Sequence, residues 1–476
     1  MAEEFVKEIT PRAEDYSQWY VDCVLKAELA DYAPVRGCMV IRPYGFAVWE
    51  KIQAILDRRF KETGHENAYF PLFIPRGFLE RESEHVEGFA PELAWVTRGG
   101  GEELAEPLAV RPTSETMICS MYAKWIHSYR DLPVLINQWC NVVRWEKATR
   151  PFLRTTEFLW QEGHTAHARE EEAREEALRM LEIYRDFLEE DLGIPVIAGE
   201  KTPSEKFAGA AHSYSVEALM GDGRALQAGT SHDLGQNFSR PFDISFLDRD
   251  GQLKHVWQSS WGVSTRLIGA LIMVHGDDRG LVLPPRIAPV PAVLVPIAPE
   301  RAREAVLGRA RQLAAALEGV HLDDRDEYTP GWKYNDWEMR GVPLRIELGP
   351  RDLEQGKAVL VRRDTGEKVP VDQEALPRAM AQMSSAVQAG IKERARNFLQ
   401  ERTWPVDNLD QLRSRLEERR GMFIAGWCGD DACEAAVKEA TGATARNIPF
   451  APAARAAACV VCGKAAAHTV YYARAY

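Results

Sequence analysis

The chain has 476 residues, 45% of them apolar and 27% charged, with a formal net charge of -12. That length is about three ordinary domains, and the composition is that of a globular protein, which excludes a disordered, collagen-like or disulfide-stapled chain. No uncharged apolar run approaches the roughly 18 residues of a membrane helix, and the acidic opening MAEEFVKEITPRAEDY lacks the pattern of an export leader, so a cytoplasmic, non-membrane protein is expected.

Residues 16–31 carry Trp19, Cys23, Leu25 and Leu29 at helical spacing, and 45–64 is a stronger helix. In the latter Phe46, Val48, Trp49, Ile52, Ile55, Leu56 and Phe60 trace one face, and Gly64 stands where a glycine stop belongs. An extended run follows at 67–75. Residues 103–126 read as strand, proline turn and helix, and 134–146 and 152–168 as two strands joined by a loop. A charged helix spans 169–191 with Leu178, Leu181, Tyr184 and Leu188 inward; strands are expected near 194–199, 212–219, 224–232 and 252–261, and a helix in 259–277. Prolines between 281 and 297 mark a boundary. Beyond it come strand, helix (301–318), strand, helix, strand (343–348) and a hairpin turning at Asp364–Gly366, a compact α/β module; helix-rich sequence runs from 374 to 420.

Charge is uneven along this order. Residues 1–287 carry 32 Lys+Arg against 45 Asp+Glu, residues 288–400 carry 17 of each, and residues 401–476 carry 10 against 9. Only the last two parts could approach a phosphate backbone without a global penalty.

Three features of the first part point to chemistry: Arg144-x-Glu146 at a strand end with Arg154 and Phe158 beyond a loop, Gly262-x-Ser264-x-Arg266 opening an apolar helix, and the helix ending at Gly64 with the strand running into Pro71. Alone, an Arg-x-Glu pair is usually a surface ion pair. In this order they resemble motifs 2, 3 and 1 of the class II aminoacyl-tRNA synthetases. With RPTSE (111–115), FLWQEGHTAH (158–167), QAGTSHDLGQNF (227–238) and SSWGVSTR (259–266), the chain from residue 16 to its last residue resembles the prolyl-tRNA synthetases of archaeal/eukaryotic type.

The resemblance implies an α/β (α+β) fold: a class II catalytic domain over 1–287 with an antiparallel sheet of six or seven strands, an α/β anticodon-binding domain over 288–400, and a small zinc-binding domain over 401–476. It implies ATP with Mg2+, L-proline and tRNA(Pro) as substrates, and a homodimer formed through motif 1. Arg144 and Arg266 are the implied catalytic residues. Arg144 would meet the α-phosphate and the substrate carboxylate, and Arg266 the γ-phosphate, as suits guanidinium groups that bind phosphate oxygens bidentately. Glu146, Arg154, Phe158, Gln227 and Thr230 would complete the nucleotide site. A pyrrolidinium needs acceptors and aromatic walls; the resemblance assigns Thr113 and Glu115 to its nitrogen, with Trp160, Glu162, His164, Phe207 and His232 lining the pocket. Taken alone, Trp160 and Phe207 read as core aromatics and His164 as a satisfied buried histidine. Their alternation, however, puts Phe158, Trp160, Glu162 and His164 on one strand face, and a core face seldom buries so many polar groups. In the second part Glu347, Arg351 and Lys357 are candidate anticodon contacts, since such groups suit exposed base edges.

Cys23, Cys38, Cys119 and Cys140 are scattered and read as small core hydrophobes. Cys428-x₄-Cys433 and Cys459-x₂-Cys462-Gly fit a tetrahedral structural zinc, the alternatives being a reduced thiol cluster or a site using His468. The family's chain ends in a tyrosine that folds back toward the catalytic domain, as Tyr476 would here. Arg144 and Arg266 are separated by catalytic elements alone, so no editing insertion, and no deacylation of alanyl-tRNA, is expected. Two other readings remain: a tRNA-binding regulatory relative without aminoacylation, and another class II subfamily such as the threonyl or histidyl enzymes.

Overall fold

A computed structural model describes residues 8–81 and 93–476; residues 1–7 of the acidic opening lie outside the described residues. Its centre is an 11-stranded sheet. From one edge its order is Thr403–Pro405, Met422–Trp427, His468–Ala473, Thr444–Pro449, Val196–Glu200, His212–Leu219, Ala225–Gly235, Trp257–Ser264, Glu157–His167, Val134–Val143 and Glu66–Asn67. The expected catalytic strands are the seven from Val196–Glu200 onward, antiparallel but for the last pair. Four strands of the C-terminal part extend the same sheet, which the sequence does not foreshadow. The join is Ile448 opposite Glu200 and Pro449 opposite Gly199. Gly199 makes it possible: a Cβ there would stand 2.3 Å from the Ile448 carbonyl oxygen.

The charged helix Glu170–Asp186 lies on this sheet through Ala173, Ala177, Met180, Leu181 and Tyr184, and the apolar helix Arg266–His275 joins the same core. Leu178, expected inward, is half-buried, while Leu188 is buried in a following turn. Three other expectations are corrected. The first helix stops at Lys26 because Glu28 takes a positive φ of 61°, and Leu29 leads into the strand Ala30–Tyr32. The second runs Pro43–Glu62, started by a proline in its first turn; its Phe46 is 40% exposed and Ile55 half-buried, so the buried stripe is narrower than the periodicity suggests. Of the scattered cysteines, Cys23 and Cys119 are buried and Cys38 and Cys140 half-buried.

Residues 292–372 form a five-stranded sheet, ordered Val320–Leu322, Ala292–Pro296, Leu344–Leu348, Lys357–Arg362, Lys368–Asp372. Its first three strands are parallel and the last two an antiparallel hairpin. Helix Arg303–Ala316 packs on it with its own core of Leu294, Leu313, Ile346 and Leu360. The 26-residue helix Leu376–Glu401 leads to the C-terminal part, where helices Leu409–Glu418 and Asp431–Thr441 enclose a third core around Leu412, Phe423, Val437 and Tyr472. Among the described residues no helix is long and apolar enough to cross a membrane.

Candidate active site and metal centre

The strand Glu157–His167 is the backbone of the site. Its period-two face carries Phe158, Trp160, Glu162 and His164 into a cavity of about 250 Å³. The opposite face packs inward, and Gly163 is required there: a Cβ would stand 2.1 Å from the Trp261 ring. Thr113, Glu115, Arg144, Phe207, Gln227, Thr230, His232 and Arg266 line the same cavity.

The two arginines come from separate elements and converge. Arg144, just after Val134–Val143, sets its guanidinium over the Phe158 and Trp160 rings at 5.5 and 5.4 Å and donates Nε to the Pro112 carbonyl at 3.1 Å. Arg266 opens its helix and donates Nε to the Leu153 carbonyl at 3.1 Å and Nη1 to that of Gln227 at 3.4 Å. Burial, then the neighbouring Arg144 charge, lowers Arg266 from its ordinary value to about 10. It stays protonated at neutral pH. Two cations aimed into one cavity make a site for a polyanion.

The other end of the cavity is built for a cation with an apolar body. Glu115 begins the helix Glu115–Trp125 and accepts from the Thr113 hydroxyl. Between them Ser114 donates its amide to Glu162 Oε2 at 3.1 Å and its hydroxyl to Oε1; Gln138 donates to Oε1 at 2.9 Å, and His164 Nε2 lies 3.1 Å from Oε2. Glu162 is thus saturated by the protein and braces the Thr113–Glu115 turn. Burial pushes the Glu162 carboxyl up, but the hydrogen bond and charge of His164, with Ser114 and Gln138, bring it below its ordinary value. For His164 burial is outweighed by Glu162 and Glu115, so the imidazole is raised above its ordinary value. His232 is brought down to about 3 by burial, then by the His164 and Lys201 charges; it is neutral, bonds Ser213 Oγ through Nδ1 at 2.9 Å and packs on Phe207 at 4.9 Å. A lowered carboxylate contributes stability above its unfolded value of 4.5 and loses it as the pH falls through the folded one. Glu162→Gln should therefore cost about 3 kcal/mol at pH 7 and flatten the acid limb of urea-unfolding stability below pH 4.5.

Two sequence-expected nucleotide contacts lie elsewhere. Glu146 and Arg154 do not line the cavity; they pair with each other, Nε to Oε2 2.6 Å, across the loop between the two strands. The pairing follows from opposite charges brought together by the bridge between Arg150 and Arg154. Conversely, Lys201, Glu205 and Ser213 line the cavity unannounced, since no periodicity singles them out.

The anticodon candidates do not gather at one point. Glu347 is buried in an ion network, accepting from Arg345 at 2.9 Å and Lys368 at 3.1 Å. Arg351 is exposed and lines a cleft of about 610 Å³ with Arg301, Arg303, Arg325 and Lys333, while Lys357 lies half-buried at a strand start outside it. Beside the cleft, Tyr328 stacks on Trp332 at 3.8 Å and 13°, with Arg325 over both rings at 5.1 and 5.2 Å. Sequence reasoning missed this platform, because Tyr328 stands in the bend before the helix Pro330–Met339 and no periodicity links it to Trp332.

Cys428, Cys433, Cys459 and Cys462 bring their sulfurs within 4.8 Å of one another. The separations Cys428–Cys433 and Cys428–Cys462 are both 3.7 Å, close to the roughly 3.8 Å edge of a tetrahedron with 2.3 Å Zn–S bonds. The set therefore fits zinc. At Cys459 burial pushes the thiol up, but the Cys462, Val461 and Cys428 amides bring it down to about 7, and Gly463 takes the positive φ of 70° that the turn needs. His468 stands outside the set, packed on Trp427 at 5.6 Å.

Comparison with known proteins follows this geometry. The family described as tRNA synthetase class II core domain (G, H, P, S and T) matches residues 95–275, the anticodon binding domain matches 292–383, and the prolyl-tRNA synthetase C-terminal family matches 409–476. The proline–tRNA ligase of Natranaerobius thermophilus is 60% identical, the alignment covering 100% of this chain and 99% of the relative. The chain belongs to the prolyl-tRNA synthetases. The Symbiobacterium thermophilum proline–tRNA ligase is 61% identical over 99% of both chains, and proline–tRNA ligase 2 of Clostridioides difficile 55% over 99% of both. In this synthetase the interval from Arg144 to Arg266 is filled by sheet strands, the helix Glu170–Asp186 and their short connections. The chain end folds back onto that part: Tyr476 donates its hydroxyl to Asp222 at 2.7 Å and its amide to the Ala225 carbonyl at 3.1 Å, and Arg150 lies over its ring at 5.6 Å.

Proposed function

We propose that the chain is a proline–tRNA ligase that activates L-proline with ATP and transfers it to the 3′ end of tRNA(Pro). The convergence of Arg144 and Arg266 on a cavity whose other end offers Glu115 and Thr113 beside aromatic walls carries this reading. Glu115 and Thr113 accept from the pyrrolidinium, and Trp160 and Phe207 enclose its ring. Arg144 orients the substrate carboxylate beside the α-phosphorus, where the carboxylate oxygen attacks in line and pyrophosphate leaves. Arg266 holds the γ-phosphate end, and Phe158, Gln227 and Thr230 take the nucleoside. Positioning and neutralisation of triphosphate charge supply most of the acceleration. Once nucleotide enters, Glu146 and Arg154 part, Glu146 accepting from the adenine amino group. The terminal adenosine hydroxyl of the tRNA then attacks the prolyl carbonyl and AMP leaves.

Bound Mg2+ adds neutralisation of the triphosphate. Of the cavity carboxylates, Glu115 and Glu162 are already hydrogen-bonded within the protein and Glu205 is the third, so the ion would be held by triphosphate oxygens with Glu205 as the carboxylate at hand. Zn2+ on the four cysteines supplies a closed structural centre. The tRNA anticodon lies along the Arg351 cleft, where the Tyr328–Trp332 stack and Arg325 form the kind of surface on which unstacked bases settle. The division at 287 and 400 is part of this reading, supported by the main core of each part and the three family matches; a smaller cluster of Leu219 and Ala225 with Met422, Ile424 and Tyr471 ties the first part to the last. So is a homodimer, supported by the exposed Tyr32, Val35, Val40 and Phe46 around the motif 1 helix. A reducing cytoplasm suits a four-thiolate centre.

Proline-dependent ATP–pyrophosphate exchange tests the assignment. Exchange is expected with proline, and about 100-fold less efficiently with alanine, which lacks the ring that fills the pocket. No exchange with proline overturns it. Alanyl-tRNA should not be deacylated by the purified protein.

A further inference from the structure

A buried charge cluster joins the C-terminal part to the catalytic cavity. Glu217 lies on the strand His212–Leu219 and is fully buried, and Lys201 and Arg446 beside it are nearly so. Lys201 donates Nζ to Glu217 Oε1 at 2.8 Å and to the Arg446 carbonyl at 2.7 Å. Arg446, from the strand Thr444–Pro449, donates Nε and Nη2 to the other oxygen, Oε2, at 3.0 and 2.9 Å, and Nη1 to Thr444 Oγ1 at 2.9 Å. Both carboxylate oxygens are therefore committed. Burial pushes the Glu217 carboxyl up, but the two cations bring it down to about 2, so it is ionised at every working pH.

A buried ion triad is weak grounds for a stability role, because apolar replacements are often as stable. Position gives a better account. Glu217 stands opposite Gln227 in the strand pair, and residues so paired share a sheet face about 5 Å apart. The Gln227 carbonyl accepts from Arg266, and Lys201 and Arg266 line one cavity. Arg266 feels both charges: Glu217 opposes the lowering that Arg446 adds to. An uncommitted carboxylate here would compete with the triphosphate for Arg266.

We propose that Arg446 is a positioning residue of the nucleotide site: by occupying Glu217 Oε2 it leaves Arg266 available to ATP. The proposal rests on the assignment of Arg266 to the triphosphate. It makes nucleotide affinity depend on a side chain of the cysteine-bearing part, which itself touches no substrate.

Exchange kinetics with ATP and proline varied separately test it on the full chain. Arg446→Met should raise KM for ATP about tenfold, or 1.4 kcal/mol, with KM for proline within twofold of the parent. Glu217→Gln combined with Arg446→Met should return KM for ATP to within twofold, since an amide carries no charge to compete for Arg266; lost packing would not be repaired this way. An unchanged KM for ATP in folded Arg446→Met, or a rise that the double variant leaves in place, overturns the proposal. Arg266→Ala separates the two levels: if it leaves KM for ATP unchanged, the assignment of Arg266 fails, whereas a rise there with none in Arg446→Met removes only the role of Arg446. Should Arg446→Met not fold, Arg446→Lys takes its place, because one ammonium cannot make the bidentate contact; about a threefold rise supports the proposal, and parental values overturn it.

Discussion

Arg144→Ala and Arg266→Ala should each cut proline-dependent ATP–pyrophosphate exchange by about 1,000-fold, with unfolding curves within about 1 kcal/mol of the parent. The reason is geometric. Each guanidinium is held by a backbone carbonyl, Pro112 for Arg144 and Leu153 for Arg266, so neither must be ordered when substrate arrives. Such preorganised charge acts where negative charge concentrates and water is partly excluded, which is why one truncation is so costly. The losses should divide differently. In the proposed mechanism Arg144 would face both the carboxylate and the α-phosphate, so its removal should fall mainly on kcat. In the same mechanism Arg266 would meet the far end of the triphosphate, so its removal should also raise KM for ATP. Retained exchange in either folded variant would remove that arginine from the mechanism.

The second large effect concerns the four cysteines. Cys433→Ser, or chelation of the parent, should lower stability by about 5 kcal/mol and abolish one equivalent of bound zinc, read by elemental analysis beside thermal unfolding. Cys428 and Cys433 flank the start of the helix Asp431–Thr441, and Cys459 and Cys462 lie on the turn before the strand His468–Ala473. Without the metal these pieces are held by a small core and by sheet pairing alone. Limited proteolysis should then release the segment beyond 409. A chelated protein that kept its melting temperature would show that the sulfurs do not staple the fold.

Much of the site was legible before the structure. The alternation at Phe158, Trp160, Glu162 and His164 is a strand signal, and polar groups on its inward face mark a cavity wall. The cysteine spacings pointed to the four-thiol cluster because a knuckle is a local object. What escaped depends on contacts across long stretches of chain. Lys201, Glu217 and Arg446 are each an ordinary charge in their own neighbourhood, and only the join between distant strands brings them together. The continuation of the catalytic sheet by Thr444–Pro449 was hidden for the same reason, since an edge strand does not announce its neighbour. Glu146 and Arg154 were read toward a nucleotide, yet their opposite charges pair with each other across the loop. Phe46 fits the helical stripe but faces outward, because periodicity counts apolar residues without telling the core-facing ones from those at the edge of the stripe.

The join at Gly199 and Glu200 also orders events in time. During synthesis the strand Val196–Glu200 leaves the ribosome about 240 residues ahead of its partner, a delay of tens of seconds at ordinary elongation rates. Throughout that interval its outer hydrogen-bonding groups are a bare sheet edge, open to pairing with a neighbouring nascent chain. Chaperone occupancy on polysomes should therefore peak after this strand emerges and fall once the final strands are made.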